Sequence, residues 1–117
     1  MTLEQLNDYG IDFEKGFERC MNDEEFYKEY LEMFLEDDCY ARAKDAYEHQ
    51  DYQKMFQSLH ELKGVCSNAE MFELYEAVYA LVELLRADDI QTDKIPEYFD
   101  KITAAYNKAS EGISLIR

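Results

Sequence analysis

The sequence has few residues that interrupt helices and few that carry positive charge. Its 117 residues include four glycines, one proline and no tryptophan. This scarcity of glycine and proline argues against a turn-rich β-sandwich or β-barrel. Only 12 lysines and arginines stand against 27 aspartates and glutamates, which gives a formal net charge of −15. So acidic a chain lacks the cationic surface that binding to nucleic acid or to an anionic membrane requires.

Signals for disulfide bonds, secretion and membrane insertion are also missing. Cys20, Cys39 and Cys66 form neither an even set nor a CxxC pair, so we expect reduced, mostly buried thiols. The first residues, MTLEQLNDYG, lack the basic segment and apolar run of a signal peptide, and no stretch is apolar enough to span a bilayer. These features predict a soluble cytoplasmic protein with one domain over residues 1–117. The high net charge favours a monomer.

Apolar residues, which make up 47% of the chain, recur with helical spacing nearly throughout. Capping patterns predict two short helices after Thr2 and Asp12 and a third helix after Asn22. The acidic run 36–38 either ends this third helix or faces solvent within it. Helical spacing then continues to about His49.

Three further amphipathic helices are predicted in the second half of the chain. Asp51 is the expected cap of the first, which runs to a weak break at residues 67–68. The second ends at residues 87–89, and the third begins at Asp93, with Pro96 tolerated in its first turn. Four long amphipathic helices with short connections predict an all-α fold. The expected architecture is an antiparallel four-helix bundle with one or two short N-terminal helices.

Common catalytic templates are absent from the sequence. It has no glycine-rich phosphate loop, no GxSxG elbow, no HExxH and no paired ExxH motifs of a di-iron bundle. A metal site made of His49, His60 and Cys66 is not favoured, because these residues lie on different helix faces or too many turns apart. Most of the carboxylates fit a solvated acidic surface.

One segment combines residues that suit an anionic group. The apolar residues of the helix predicted after Asp51 form a seam for packing against other helices: Tyr52, Met55, Leu59, Leu62, Cys66 and Ala69. His60 lies beside this apolar seam, and Lys63, Gly64 and Ser67 follow His60 along one strip of the helix. A glycine within a helix costs about 1 kcal/mol relative to alanine, and its use here would be to let another protein come close. Taken singly, three of these residues have plainer interpretations. His60 would be a histidine at the boundary of the core, Lys63 a solvated lysine, and Gly64 a point where another helix crosses closely. Together they favour a phosphate delivered by a docking protein.

The stretch 60–64, His-Glu-Leu-Lys-Gly, resembles the HxLKG signature of histidine-containing phosphotransfer (HPt) domains. The resemblance covers nearly the whole chain. It implies a four-helix bundle in which His60 is phosphorylated, Lys63 helps hold the phosphate and Gly64 gives access to the partner. We expect Ser67, on the same strip, to belong to the access surface. Glu70 departs from the pattern, because family members usually carry a second glycine there.

The resulting hypothesis is a phosphorelay intermediate. His60 would accept a phosphoryl group from the phosphoaspartate of one receiver domain and pass it to another. The implied partners are receiver domains of response regulators and hybrid histidine kinases. The chain would be a phosphoryl carrier with no ATP site and no cofactor of its own, and the receiver would supply the divalent metal.

Two other classes of function remain open from the sequence. One is a non-catalytic acidic helical adaptor, and the weaker one is a metal-binding bundle. An imidazole of His60 that projects into solvent beside Lys63 favours phosphotransfer, whereas a buried one favours the adaptor.

The predicted hairpin also places residues of the next helix near His60. If the chain reverses near residues 68–70, Tyr79, Val82 and Glu83 come level with His60, and Arg86 lies one turn further. Arg86 is interpreted as a solvated arginine at a helix C-terminus. His49 lies near a helix end with no lysine three residues on, so it is not the expected phosphoacceptor.

Overall fold

The computed structural model describes residues 1–117, and every regular element in it is a helix. Two elements are short 3₁₀ helices, Leu3–Tyr9 and Thr92–Lys94. The six α-helices are α1 (Phe13–Arg19), α2 (Glu24–Glu36), α3 (Cys39–Glu48), α4 (Tyr52–Asn68), α5 (Phe72–Arg86) and α6 (Ile95–Ile116).

The helices form an elongated bundle of 45 × 21 × 20 Å. Helix α3 packs on α4, α4 on α5 and α5 on α6, and the short connections make successive helices antiparallel. Helix α2 packs along α6, so α2 and α3 together take the place of one long, broken helix. The predicted all-α four-helix bundle is therefore confirmed, with the 3₁₀ helix and α1 as its short N-terminal helices.

The break between α2 and α3 lies in the acidic run. Asp37 has extended backbone (φ −69°, ψ 136°), and its Oδ1 accepts a hydrogen bond of 2.8 Å from the Cys39 N–H. A short carboxylate side chain that bonds nearby backbone N–H groups competes with continued helix. Of the two alternatives that the sequence left open, the acidic run thus ends the helix.

The core is a single cluster of buried apolar side chains from the first 3₁₀ helix and from α2 to α6, and Phe13 and Phe17 of α1 pack against it. Its α4 members follow the predicted seam: Met55, Leu59, Leu62 and Cys66. Stacked aromatic rings bridge α3 and α6, with centroid separations of 4.0 Å for Tyr40–Tyr106 and 4.5 Å for Tyr47–Phe99. These contacts hold α3 against the bundle and thereby place α4 between α3 and α5.

Four of the predicted helix starts can be compared with the observed caps. Asp12 and Asp51 each accept a hydrogen bond from the backbone three residues on, as predicted. The prediction at Asn22 is wrong by one residue, because Asp23 makes that bond while Asn22 lies in the preceding turn with φ +57°. The prediction at Asp93 is also wrong: this residue lies within the second 3₁₀ helix, and no side chain caps α6.

The turn between α4 and α5 holds Glu70 in the left-handed region, with φ +56°. Its carboxylate pairs with Arg19 at 2.9 Å, and its carbonyl accepts a hydrogen bond of 2.8 Å from the Asp12 N–H. Left-handed backbone is unfavourable for any residue with a Cβ, which explains why glycine suits this position. Glu70 is accommodated here by contacts with the N-terminal segment.

The three cysteines are free and buried, as expected from their number and spacing. No helix is long and apolar enough to cross a membrane.

Candidate functional site

His60 lies at the middle of α4, the longest helix but one, with its side chain exposed to solvent. Its nearest aromatic neighbour is Phe56, one turn earlier, whose ring meets the imidazole edge-on at a centroid distance of 6.0 Å. The imidazole therefore projects from the bundle and does not pack in the core. Of the two alternatives that the sequence offered, this is the arrangement that favours phosphotransfer over a plain adaptor.

Lys63 lies one turn after His60 and is partly buried. Its Nζ lies 5.6 Å from the centroid of the Tyr79 ring on α5. A cation over an aromatic face is attracted by the ring's electrons. The lysine is thus held on the α5 side of the helix, on the strip that leads to His60, without pairing to a carboxylate.

Gly64 and Ser67 are both exposed on α4, beyond His60 along the helix. A Cβ placed on Gly64 would meet nothing within 4 Å, so no packing within the chain requires glycine here. The alternative interpretation of Gly64 as a close helix crossing is therefore wrong. The glycine leaves a bare patch of helix backbone facing outward, one turn from the imidazole.

The sequence predicts Tyr79, Val82 and Glu83 of α5 as the residues level with His60. Tyr79 contacts Lys63, as described, while Val82 is buried in the core and Glu83 is exposed. The interpretation of Arg86 as a merely solvated arginine is incomplete. Its guanidinium carbon lies 5.2 Å from the centroid of the Phe56 ring, and its Nε contacts Glu83 Oε1 at 3.3 Å.

The ring of Phe56 therefore lies beside both the imidazole of His60 and the guanidinium of Arg86. Arg86 thus faces the side of α4 that carries His60 and does not point away from it.

The α3 flank contains a depression of about 640 Å³ that reaches His60 and Gly64. The depression is also lined by Arg42 from α3 and by Lys54 and Glu61 from α4. Arg42 Nη1 pairs with a carboxylate oxygen of Glu61 at 2.7 Å. The hydrogen bonds with Glu61 and then Asp38 raise the pKa of Arg42, so its side chain is cationic throughout the pH range of the folded protein.

Four of the 12 basic residues of this strongly acidic chain therefore lie on the two flanks of the site. Arg42 and Lys54 line the depression, Lys63 lies beside Tyr79 of α5, and Arg86 of α5 lies beside Phe56. The local sequence places only Lys63 on this face. Arg42 and Arg86 come from other helices, and no local pattern in the sequence reports contacts between helices.

His49 has a different environment at the C-terminal end of α3. Its Nδ1 lies 2.8 Å from the Asp45 carbonyl oxygen and 3.5 Å from Asp45 Oδ1. The backbone hydrogen bond, and then the Asp45 charge, raise the pKa of His49. The ring of His49 is thus engaged with acceptors of its own helix.

The structure also bears on the metal alternative. His49 and His60 are exposed on different helices, whereas Cys66 is fully buried. Three or more potential ligand atoms that all lie within 4.8 Å of one another occur only in the acidic break, at Asp37, Asp38 and Cys39. The three residues considered from the sequence are thus not brought together.

Comparison with known proteins identifies a family. The model of the Hpt domain family matches residues 29–111, which include the whole of α3, α4 and α5 and the segment 60–67. No curated protein and no solved structure matches the chain. Membership of this family implies histidine phosphotransfer in a two-component phosphorelay. Because the match covers well over half of the sequence, the chain belongs to the family of Hpt domains.

Proposed function

We propose that this protein is a phosphorelay intermediate that carries a phosphoryl group on His60. It takes the group from the phosphoaspartate of one receiver domain and gives it to the aspartate of another. Lys63 neutralises part of the phosphoryl charge, while Gly64 and Ser67 form the surface over which the receiver approaches. The receivers belong to response regulators and to hybrid histidine kinases.

The observation that carries this proposal is the exposed imidazole of His60 beside a helical glycine that the chain's own packing does not need. Glycine lowers the stability of a helix interior by about 1 kcal/mol relative to alanine. A Cβ added at Gly64 would meet no neighbour within 4 Å, so the space that the glycine clears is open to a second molecule. A nucleophilic side chain next to such a cleared surface suits a reaction between two docked proteins.

The transfer requires little covalent machinery from this chain. The electron pair of one ring nitrogen of His60 forms the new N–P bond, and the P–O bond to the receiver's aspartate breaks. The aspartate leaves as a carboxylate, and the proton on the other ring nitrogen stays with the imidazole. Catalysis of such a step depends on in-line positioning and on neutralisation of charge. In this proposal the receiver supplies the divalent metal, and the chain supplies the nucleophile and the surrounding cations.

The test is incubation of the protein with receiver domains that have been phosphorylated with labelled phosphate. We expect label on this chain that is lost in acid and retained in base, as is typical of a phosphorus–nitrogen bond. The His60→Gln variant should take up none. A folded wild-type protein that accepts no phosphate from a panel of receivers would contradict the proposal and favour the adaptor.

A further inference from the structure

Glu61 presents an electrostatic problem for a phosphoryl group on His60. It follows His60 directly in α4, about 100° around the helix, and its side chain is 58% exposed. If nothing else held it, a carboxylate on so exposed a side chain would be free to turn toward the imidazole. Phosphorylation brings close to two negative charges to that imidazole, so a mobile carboxylate there would oppose it.

Arg42 holds this carboxylate on the other side. Its Nη1 lies 2.7 Å from Glu61 Oε2, and its Nε lies 3.2 Å from Asp38 Oδ1. The remaining nitrogen, Nη2, donates to Cys39 Sγ at 3.4 Å. All three guanidinium nitrogens are therefore engaged, two of them with residues at the start of α3. The planar fork of arginine suits such a multiply bonded position, because its geometry is fixed before the contacts form.

We propose that Arg42 is a positioning residue for phosphotransfer, a role that rests on the function proposed above. It anchors the Glu61 carboxylate against α3 and so keeps a neighbouring negative charge away from phosphorylated His60. Arg42 acts through Glu61 and does not itself contact the phosphoryl group. Arg42, Glu61 and His60 all line the same depression, so the anchored carboxylate belongs to the surface that carries the imidazole.

This role differs from that of a cation that binds the phosphate directly. If Arg42 acts by restraining Glu61, removal of the carboxylate makes the arginine dispensable. If it attracted the phosphoryl group itself, its loss would be harmful whether or not Glu61 were present. The pair of residues thus allows the two mechanisms to be separated by a double-mutant cycle.

The experiment measures the equilibrium constant for phosphoryl exchange between a receiver domain and His60 in wild type, Arg42→Gln, Glu61→Gln and the double variant. This equilibrium constant, written for the free, dissociated proteins, does not depend on the affinity with which the receiver docks. Lys44→Gln is the matched control, because Lys44 is an exposed cation of the same helix that forms no ion pair. Thermal unfolding of each variant checks the fold.

We expect Arg42→Gln to lower the equilibrium constant for phosphorylation of His60 by about three- to tenfold. Glu61→Gln should leave it equal to or above the wild-type value, and the double variant should return to that level. Lys44→Gln should stay close to wild type. An unchanged Arg42→Gln protein would overturn the inference, and so would a double variant as impaired as the single one. Failure of the wild type to accept phosphate from any receiver would overturn the proposed function and this role together.

Discussion

The ammonium group of Lys63 lies 5.6 Å from the centroid of the Tyr79 ring, so α5 helps to position the cation nearest to His60 along the strip. An exposed cation–π contact contributes about 0.5–1 kcal/mol, which is less than a charge-assisted hydrogen bond to a phosphate can contribute. Lys63 is therefore kept close to the site when the histidine is free, yet it can turn to a phosphoryl group when one arrives.

Replacement of Lys63 by alanine should slow transfer to His60 by about one order of magnitude without abolishing it. The reason is the loss of one charge-assisted contact, which water partly screens. Rapid-quench measurement of label uptake from a phosphorylated receiver tests this expectation. Lys101→Ala, which removes an exposed lysine of α6, is the charge-matched control. Equal rates for the two variants would mean that Lys63 is ordinary surface.

Replacement of His60 by glutamine should abolish phosphate uptake and leave the free energy of unfolding nearly unchanged. The side chain is exposed and contributes little to the core, and surface substitutions usually change stability by no more than about 0.5 kcal/mol. Labelling combined with urea unfolding tests both parts. His49→Gln is the matched control and should retain full uptake. Label at His49 in the His60→Gln protein would contradict the assignment.

The sequence was sufficient to predict the helices and their order, because apolar spacing and capping residues are local signals. The wrong caps predicted at Asn22 and Asp93 show the limit of such signals. Both residues have side chains that are common at helix caps and lie within a few residues of the true helix start, but neither caps the helix. The position of Arg42 could not be predicted. Its pairing with Glu61 depends on how α3 packs against α4, and that packing is set by aromatic contacts across the bundle.

Replacement of Gly64 by alanine should stabilise the protein while slowing the transfer. An added Cβ meets no neighbour within 4 Å, and alanine is favoured over glycine in a helix by about 1 kcal/mol. The same methyl group stands on the surface over which we expect the receiver to dock. Urea unfolding and transfer rates should therefore move in opposite directions. A more stable variant with unimpaired transfer would show that the receiver does not approach over this residue.

Replacement of Glu70 by glycine should raise the free energy of unfolding by about 1 kcal/mol. Relief of left-handed backbone at φ +56° contributes roughly 1–2 kcal/mol, and the lost ion pair with Arg19 costs less than about 1 kcal/mol. Arg19→Ala removes the ion pair together with the long hydrogen bond of 3.5 Å from Arg19 Nη1 to the Asn68 carbonyl, and it should give a small loss. Chemical unfolding followed by circular dichroism distinguishes these cases. A destabilised Glu70→Gly protein would mean that the ion pair outweighs the backbone strain.

The buried thiols should make the protein less stable in alkaline solution. Burial raises the pKa of Cys39 and of Cys66 to about 12, against 9.0 for an ordinary thiol. The unfolded chain then loses these protons first, so stability is intact below pH 9 and is lost as the pH rises toward 12. Urea unfolding between pH 8 and pH 10.5 tests this. Cys39→Ala should reduce the slope, and a pH-independent midpoint would contradict the expectation.

The order of packing in the bundle has a consequence for how the chain folds. From α3 to α6 each helix contacts the next one along the chain. The distant pairings of α6 are with α2, with the first 3₁₀ helix and, through stacked aromatic rings, with α3. Topologies dominated by such local contacts fold within microseconds to milliseconds. The hairpin that presents His60 can thus form from neighbouring segments as soon as both have left the ribosome, before the N-terminal segment finds its place on α6.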